Sequence, residues 1–394
     1  MTRLIEITGK ALSGEWGKDD DSGNGIPVLR TTNFTNIGEV DYENVVTRNI
    51  IKKNLDEKYL RKGDIIIEKS GGSDKQAVGR VIFFDGEERT YLFNNFTGLL
   101  RVKDQANWYP RYIFYSLFSN YRKGGTRAFE NKTTGLHNLK TDEYVAHYEV
   151  ADASMQNQIA ICAQLDRVTK NIKLHQQELQ KLDQLIKSRF VEMFGGPVSN
   201  PLSWEKRNLK EVCVKLTDGT HFSPESFDIG KYKYITAKNI KLSGFDFSNI
   251  TYVPEEVHKP IYERCNPEFE DVLYIKDGAT TGIAMVNTLE EEFTLLSSVA
   301  LLKQDRNIMN GYFLTALLNN EEMYLDIRNN MGGAAITRLT IAKLNLIKVI
   351  VPPIELQEQF AAFVEQVDKS KVAVQKSLDE TQLLFNSLMQ KYFG

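Results

Sequence analysis

Few residues in the 394-residue chain have types and spacing that could do chemistry on their own. Asp64, Glu68 and Lys69 come nearest, because carboxylates beside a lysine can hold a divalent cation and activate water. Their spacing argues against that role, since the E-x-K step of a nuclease cluster is missing. The five histidines (His137, His147, His175, His221, His258) show no metal-ligand spacing. There is no G-x-x-x-x-G-K-[ST] loop, no H-E-x-x-H helix and no G-x-S-x-G elbow. Gly23-Asn24-Gly25 is a lone G-x-G in a polar loop and reads as a turn. Cys162, Cys213 and Cys265 lie far apart without a C-x-x-C, which suits a reducing cytosol, no disulfide framework and no zinc site.

Binding chemistry is better represented. KSGGSDKQAVGR (69–80) combines glycines, small hydroxyls and basic residues, and RKGGTRAFENKTTGLHN (122–138) is richer still. Glycine lets a backbone approach a ligand closely, and backbone N–H, Lys and Arg suit phosphate. KLTDGTHFSP (215–224), KDGATTG (276–282) and RNNMGGAAITR (328–338) are the second-half counterparts. Any one of them alone reads as a solvated loop, but their recurrence at equivalent points argues for function. His137 and His221 fall in these loops and are candidates for base or phosphate contacts. Residues 101–140 carry eight Lys/Arg against two acids, whereas 276–343 carry six against eight. Charge therefore favours nucleic-acid binding by one half and leaves the other undecided.

The elements that must position these loops occur twice. A strand-rich stretch runs into a long heptad helix, and the order repeats about 200 residues later. VLRTTNF (28–34) lines up with YITAKNI (234–240), GDIIIEKSGG (63–72) with EDVLYIKDGA (270–279), and TGLHNLK (134–140) with AITRLTI (335–341). The first unit predicts strands at 26–29, 64–68, 78–84 and 91–102 and a helix at 109–121. The second predicts strands at 232–237, 271–275, 282–286 and 295–302 and a helix at 311–329. Both long helices carry a Q-x-Q near the start, an aliphatic-Asp pair (Leu165-Asp166, Val367-Asp368) and a terminal Phe-Gly.

In the first long helix, apolar residues fall at Leu165, Val168, Ile172, Leu179, Leu182, Ile186, Phe190 and Met193, with His175 in register. In the second they fall at Phe360, Val364, Val367, Val374, Leu378, Phe385, Leu388 and Tyr392, with Lys371 and Thr381 in register. Alternating steps of three and four make a coiled-coil seam. Ser154 is placed to cap the first helix, Gly195-Gly196-Pro197 to stop it, and Pro352-Pro353 to mark entry into the second. Helices of about 40 residues, about 60 Å long, cannot hide such a stripe alone. Two independent dimerisation arms would satisfy it; an antiparallel pair within one chain accounts better for the matched lengths and endings. The resulting expectation is an α+β chain: a first globular domain at 1–153, a helix at 154–196, a second domain at 197–352 and a closing helix at 353–394.

The length suggests two or three domains, and 42% hydrophobic with 26% charged residues is ordinary for a globular protein. Charges interrupt every apolar run of MTRLIEITGKAL, so it does not read as a signal peptide, and no stretch approaches membrane-span length. A cytoplasmic location is expected.

The duplicated layout, the GD-hydrophobic-run-Gly-loop pattern (63–72 and 271–278), TDGTH at 217–221 and IVPPIELQEQFAAFV at 350–364 resemble the specificity (S) subunit of type I restriction–modification enzymes. The resemblance covers essentially the whole chain. It departs at the first passage into a helix, YEVADASMQNQ, which lacks the double proline of 352–353. It implies two target-recognition domains, each reading one half of a bipartite double-stranded DNA site, held apart by an antiparallel helical spacer. It also implies partners: two methyltransferase subunits and, in a full enzyme, restriction/translocase subunits. S-adenosylmethionine, ATP and Mg²⁺ would belong to those partners, and this chain would be non-catalytic.

Under that reading the DNA-contacting candidates of the first domain are Lys69, Ser70, Lys75, Arg80, Arg122, Lys123, Arg127, Lys132, Thr133, Thr134 and His137. Those of the second are Thr217, Asp218, Thr220, His221, Lys238, Lys276, Thr280, Thr281, Arg328, Thr337 and Arg338. Three other readings compete: a coiled-coil scaffold that never touches DNA, a solitary metal-dependent enzyme built on Asp64 and Glu68, and the DNA-reading subunit of a methylation-only or non-type-I system.

Overall fold

The computed structural model describes residues 1–21, 23–51, 55–133, 135–329 and 338–394. The chain packs as two units: Met1–Gln176 with Lys376–Gly394, and Gln177–Gln375. The central helix, Met155–Phe194, and the closing helix, Ile354–Phe393, are each divided between them. Each unit therefore contains the start of one long helix and the end of the other.

In the first unit, strands Leu12–Ser13, Thr97–Leu100, Ile65–Glu68 and Val81–Phe83 form an antiparallel sheet in that order. Successive side chains on a strand face opposite ways. Ile65 and Ile67 accordingly join a core with Ile113 and Leu117 of helix Pro110–Arg122, while Ile66 joins Leu29, Phe34 and Phe93 on the other side. A sheet covered on both faces explains an unbroken apolar run. The second unit repeats the arrangement with strands Cys213–Asp218, Val299–Gln304, Val272–Ile275 and Ala284–Val286. Val272 and Tyr274 face the core of helix Gly311–Leu318, and Leu273 and Ile275 face the other core.

Several sequence matches acquire a cause. Arg30 N–H donates to Asn33 Oδ1 and Thr236 N–H to Asn239 Oδ1, both at 3.0 Å. The same asparagines then donate to the Asp41 and Asp246 carbonyls at 3.0 and 3.1 Å. The shared asparagine of TTNF and AKNI is thus a buried turn-holder.

Other expectations need correcting. The strand expected at 91–102 is two, Leu92–Phe93 and Thr97–Leu100, because the chain crosses there from one sheet to another. The strand expected at 295–302 divides likewise, into Thr294–Leu295 and Val299–Gln304. The helix expected at 311–329 breaks between Leu318 and Glu321. Asn319 turns its amide to the backbone of Ala284, and Asn320 accepts from Glu322 N–H, so side chains replace the helical ladder. The alignment of 134–140 with 335–341 is one residue out of step. Leu139 N–H donates to the Lys69 carbonyl at 2.8 Å and Leu339 N–H to the Lys276 carbonyl at 2.9 Å, so Leu139 matches Leu339.

The long helices pack on each other, antiparallel, within each unit. Tyr392 donates to Gln164 at 2.8 Å in the first unit, and Lys371 pairs with Asp183 at 2.7 Å in the second. Every apolar seam position is buried or half-buried. Ser154 Oγ accepts from Asn157 N–H at 3.3 Å, as a helix cap should. Gly195, at φ +72°, takes the left-handed conformation that ends the central helix.

One residue of each Q-x-Q is structural. Gln158 Oε1 accepts from Tyr109 N–H at 2.8 Å, and its amide donates to the carbonyls of Asn107 and Ala153. Gln357 does the same to Asn310 N–H and the carbonyls of Ile308 and Pro352. Both glutamines are buried. They fix a spacing of about 200 residues between the helices, which also brings Phe194 into line with Phe393. The aliphatic-Asp pairs do not follow that spacing: Asp166 is taken by Arg111 and Tyr115, whereas Asp368 pairs with Lys371. All three cysteines are free, and burial pushes their thiols up to about 12.

Gln158→Ala and Gln357→Ala each strand one buried N–H and two carbonyls, and are expected to lower the stability of the unit holding them by about 1–3 kcal/mol. Urea unfolding of the full chain checks this, with Gln156→Ala, at an exposed position of the same Q-x-Q, as the control. Equal midpoints for all three variants would refute the clamp.

Candidate nucleic-acid interface

The two basic loops of the first unit form one small sheet. Strand Ser70–Gly72 pairs with Leu136–Leu139, which pairs with Glu130–Thr133. Asp74, in the turn beyond Gly72, becomes a hub. Its carbonyl accepts from Arg127 at 3.2 Å, and its carboxylate lies 3.5 Å from both Lys132 and His137. His137 is buried, with Nδ1 2.8 Å from Glu130. Lys75, Arg127 and Lys132 are exposed on this surface, and Ser70 is half-buried at its edge. Thr133 ends its strand, and Thr134 lies outside the described residues.

Lys69 is half-buried and donates to Ser13 Oγ at 2.9 Å. Burial holds its ammonium below the ordinary lysine value; Asp142 opposes that shift and Lys58 adds to it. Arg80 makes a bidentate pair with Glu68, at 2.7 and 3.1 Å, and also donates to the Thr31 carbonyl. Hydrogen bonding to Glu68 raises the Arg80 pKa above its usual value. Asp64 is likewise taken by Arg101 at 2.6 and 2.7 Å. Both carboxylates are about 1% exposed and committed to arginines. Among the described residues no group of three His, Cys, Asp or Glu side chains is placed to hold a metal ion.

Arg122 and Lys123 are drawn elsewhere. Lys123 donates to the Phe393 carbonyl at 2.6 Å and Arg122 to Asn386 at 3.1 Å. Their charges meet the C-terminal end of the closing helix, where the helix dipole favours a cation.

In the second unit, the TDGTH segment ends strand Cys213–Asp218. Gly219 lies against the chain crossing: an added Cβ would stand 1.9 Å from the Leu295 carbonyl oxygen. Gly14 is its counterpart, with an added Cβ 2.2 Å from the carbonyl oxygens of Phe93 and Asn94. Glu15 N–H donates to the Phe93 carbonyl as Thr220 N–H does to that of Leu295, both at 2.8 Å. SGEW (13–16) is therefore the first-unit form of DGTH (218–221). Sequence comparison misses it because only the glycine is shared. Beside it, the Arg48 guanidinium lies 4.2 Å over the Trp16 ring and Lys58 pairs with Glu15 at 2.5 Å.

Asp218 is buried and meets His221 at 3.1 Å, Arg264 at 3.4 Å and Lys276 at 3.4 Å. Lys276 is also buried, 2.8 Å from Asp277, and Asp277 faces Arg338 at 3.3 Å. Thr217 is half-buried near Arg264, while Thr220 and Thr281 are buried with hydroxyls turned to the carbonyls of Phe222 and Gly278. Lys238, Thr280, His221, Arg328 and Arg338 are exposed. Arg328 lies 5.2 Å over the Tyr324 ring, and Thr337 lies outside the described residues. Arg264, absent from the sequence-derived set, comes from helix Glu255–Arg264, which with His221 and Phe222 lines a cavity of about 440 Å³.

The model for the type I restriction modification DNA specificity domain matches twice, at residues 4–184 and 201–381. The chain belongs to that family. It is 24% identical over 198 residues to a candidate MjaX type I restriction enzyme specificity subunit of Methanocaldococcus jannaschii. That match spans 49% of this chain and 46% of the relative, so under half of the curated relative's length is covered. A type I restriction–modification S subunit from M. genitalium superposes with TM-score 0.61 at 16% identity, over 100% of this chain and 95% of that one. A chain from a structure addressing complex assembly and conformational transition of the type I R-M system gives 0.53 at 17%, covering 100% and 96%. At such identities these two show a shared fold. The doubled family match agrees with the doubled glycine crossing.

Gly14→Ala and Gly219→Ala must displace backbone. Each is expected to destabilise the unit holding it by about 1–3 kcal/mol and to spare the other. Hydrogen exchange read separately in the two units of the full chain checks this; unchanged protection in the unit holding the substitution would refute the tight crossing.

Proposed function

We propose that the chain is the DNA-reading subunit of a type I restriction–modification complex, each unit reading one half of a bipartite double-stranded site. The observation that carries this is the repetition, in one chain, of a glycine crossing that sets a lysine (Lys69, Lys276) beside a polar loop. Exposed Lys75, Arg127 and Lys132, with half-buried Ser70, would contact phosphate or base edges in the first half-site. His221, Lys238, Thr280, Arg328 and Arg338 would do so in the second. Phosphate contacts set position and side chains on base edges select sequence. The buried or paired members (Arg80, His137, Asp218, Lys276, Thr220, Thr281) would hold those loops in shape. Arg122 and Lys123 would serve mainly to seat the first unit on the closing helix.

The paired helices would set the half-site separation and offer their polar outer faces to two methyltransferase subunits, with restriction/translocase subunits joining in a full enzyme. S-adenosylmethionine, ATP and Mg²⁺ would enter through those partners, and this chain would act without catalysing a step. The setting would be the cytoplasm; no helix among the described residues is long and apolar enough to cross a membrane. Family membership favours this over the scaffold reading.

Methylome sequencing of a host carrying the neighbouring methyltransferase gene, with and without this one, tests the role. A split methyladenine motif present only with this gene is expected; an active methyltransferase whose motif ignores the gene would sink the reading. Matched seven-residue insertions in both long helices should lengthen the spacer by about 10 Å, roughly three base pairs of duplex. A motif with both half-sites kept and a longer gap is the expected product; an unchanged gap removes the spacer role.

A further inference from the structure

The second unit buries a lysine between two carboxylates where the first sets one against a serine hydroxyl. Strand register makes the comparison residue by residue. Ser13 and Ile67 flank Gly98 in one sheet, as Asp218 and Tyr274 flank Ala300 in the other. Ser13 and Asp218 therefore share one position. Two residues beyond Ile67 and Tyr274 stand Lys69 and Lys276, followed by Ser70 and Asp277. The Lys276 side chain is 2% exposed, and its ammonium meets Oδ2 of both Asp218 and Asp277. Each carboxylate turns its other oxygen toward an arginine at the surface, Asp218 Oδ1 to Arg264 and Asp277 Oδ1 to Arg338, and Asp218 Oδ1 also meets the His221 ring. Those three side chains are 46%, 60% and 61% exposed. Among the described residues Asp277 Oδ1 has no hydrogen bond, so Arg338 is held by charge without bond alignment.

We propose that Asp218 and Asp277 determine the stringency of the second unit, by holding His221, Arg264 and Arg338 against the protein until a correctly placed DNA edge takes them over. This rests on the DNA-reading function proposed above. A generic phosphate must compete with a carboxylate for each of the two arginines while being repelled by it. A cognate site adds base contacts that offset that competition, so the acids subtract more from sequence-independent affinity than from cognate affinity. The first unit has Ser13 and Ser70 in those places, and there Lys69 donates to the Ser13 hydroxyl.

The test is binding of the full chain, co-purified with its methyltransferase subunits, to its own site and to a duplex with the second half-site scrambled, over a range of salt. Asp277→Ser leaves Asp218 as counter-ion for Lys276. It should tighten the scrambled duplex roughly five- to tenfold more than the cognate one near 0.1 M salt, and steepen the scrambled salt slope by about one. Asp277→Asn, which keeps the shape and removes the charge, should do the same. Ser70→Asp, on the half-buried edge strand of the first unit, should do the reverse for a duplex scrambled in the first half-site. Equal changes on cognate and scrambled DNA, or none, in a wild-type background that does discriminate, overturn the proposal alone. A wild-type complex that ignores both duplexes overturns the DNA-reading function and this inference with it.

Discussion

Each long helix is fastened to the globular unit before it by one buried glutamine, and the position of the neighbouring helix depends on that fastening. Gln158 and Gln357 satisfy the N–H of the residue preceding helix Pro110–Arg122 or Gly311–Leu318, together with two nearby carbonyls. An amide with both donor and acceptor can do this, and few other side chains can. The opposite end of each long helix is held by an aromatic contact. Phe393 meets Tyr112 at 5.1 Å, and Phe194 meets Phe313 at 4.7 Å. A coiled-coil seam alone would fix neither register nor partner, because heptads slide; a buried amide with three bonds does.

Within that frame the two units solve equivalent problems with different chemistry. Asp64 with Arg101 and Asp271 with Lys303 are the same ion pair at the same end of the two inner strands of each sheet. Burial raises Asp271 above the usual carboxylate range, although the Glu268 N–H and Lys303 oppose the shift. Glu68 with Arg80, by contrast, is replaced by Ile275 and Ile283. Glu68 N–H donates to the Arg80 carbonyl as Ile275 N–H does to that of Ile283, both at 2.8 Å. A buried ion pair and an apolar pair of similar size can be nearly equivalent in stability, so such a site tolerates either. Charge in the sheet is thus a poor guide to which positions of the two units correspond. Backbone geometry shared by the two units, as at Gly14 and Gly219, is a better one.

The lysines beside those glycines show how the same backbone can carry different electrostatics. Lys69 lies next to a hydroxyl and stays half-exposed, whereas Lys276 is sealed between carboxylates whose outer oxygens reach surface cations. Buried charge of this kind persists only when paired, because removing either partner leaves an uncompensated ion. The acidic balance of residues 276–343 therefore includes carboxylates that are partners of cations in the same unit.

The duplication, the α+β class, the two heptad helices and their caps were legible in the sequence, because period and turn chemistry are local properties. So were most of the loops at the candidate interface. The register of the repeats was not: Leu139 matches Leu339, and only one glutamine of each Q-x-Q is equivalent, since spacing is set by hydrogen bonds between segments far apart in the chain. Nor could the sequence tell Arg127, which turns to the Asp74 carbonyl, from Arg122 and Lys123, which turn to the closing helix, or reveal Ser13 and Arg264 as neighbours of the candidate loops. A side chain's role depends on what folding brings beside it, and composition does not record that.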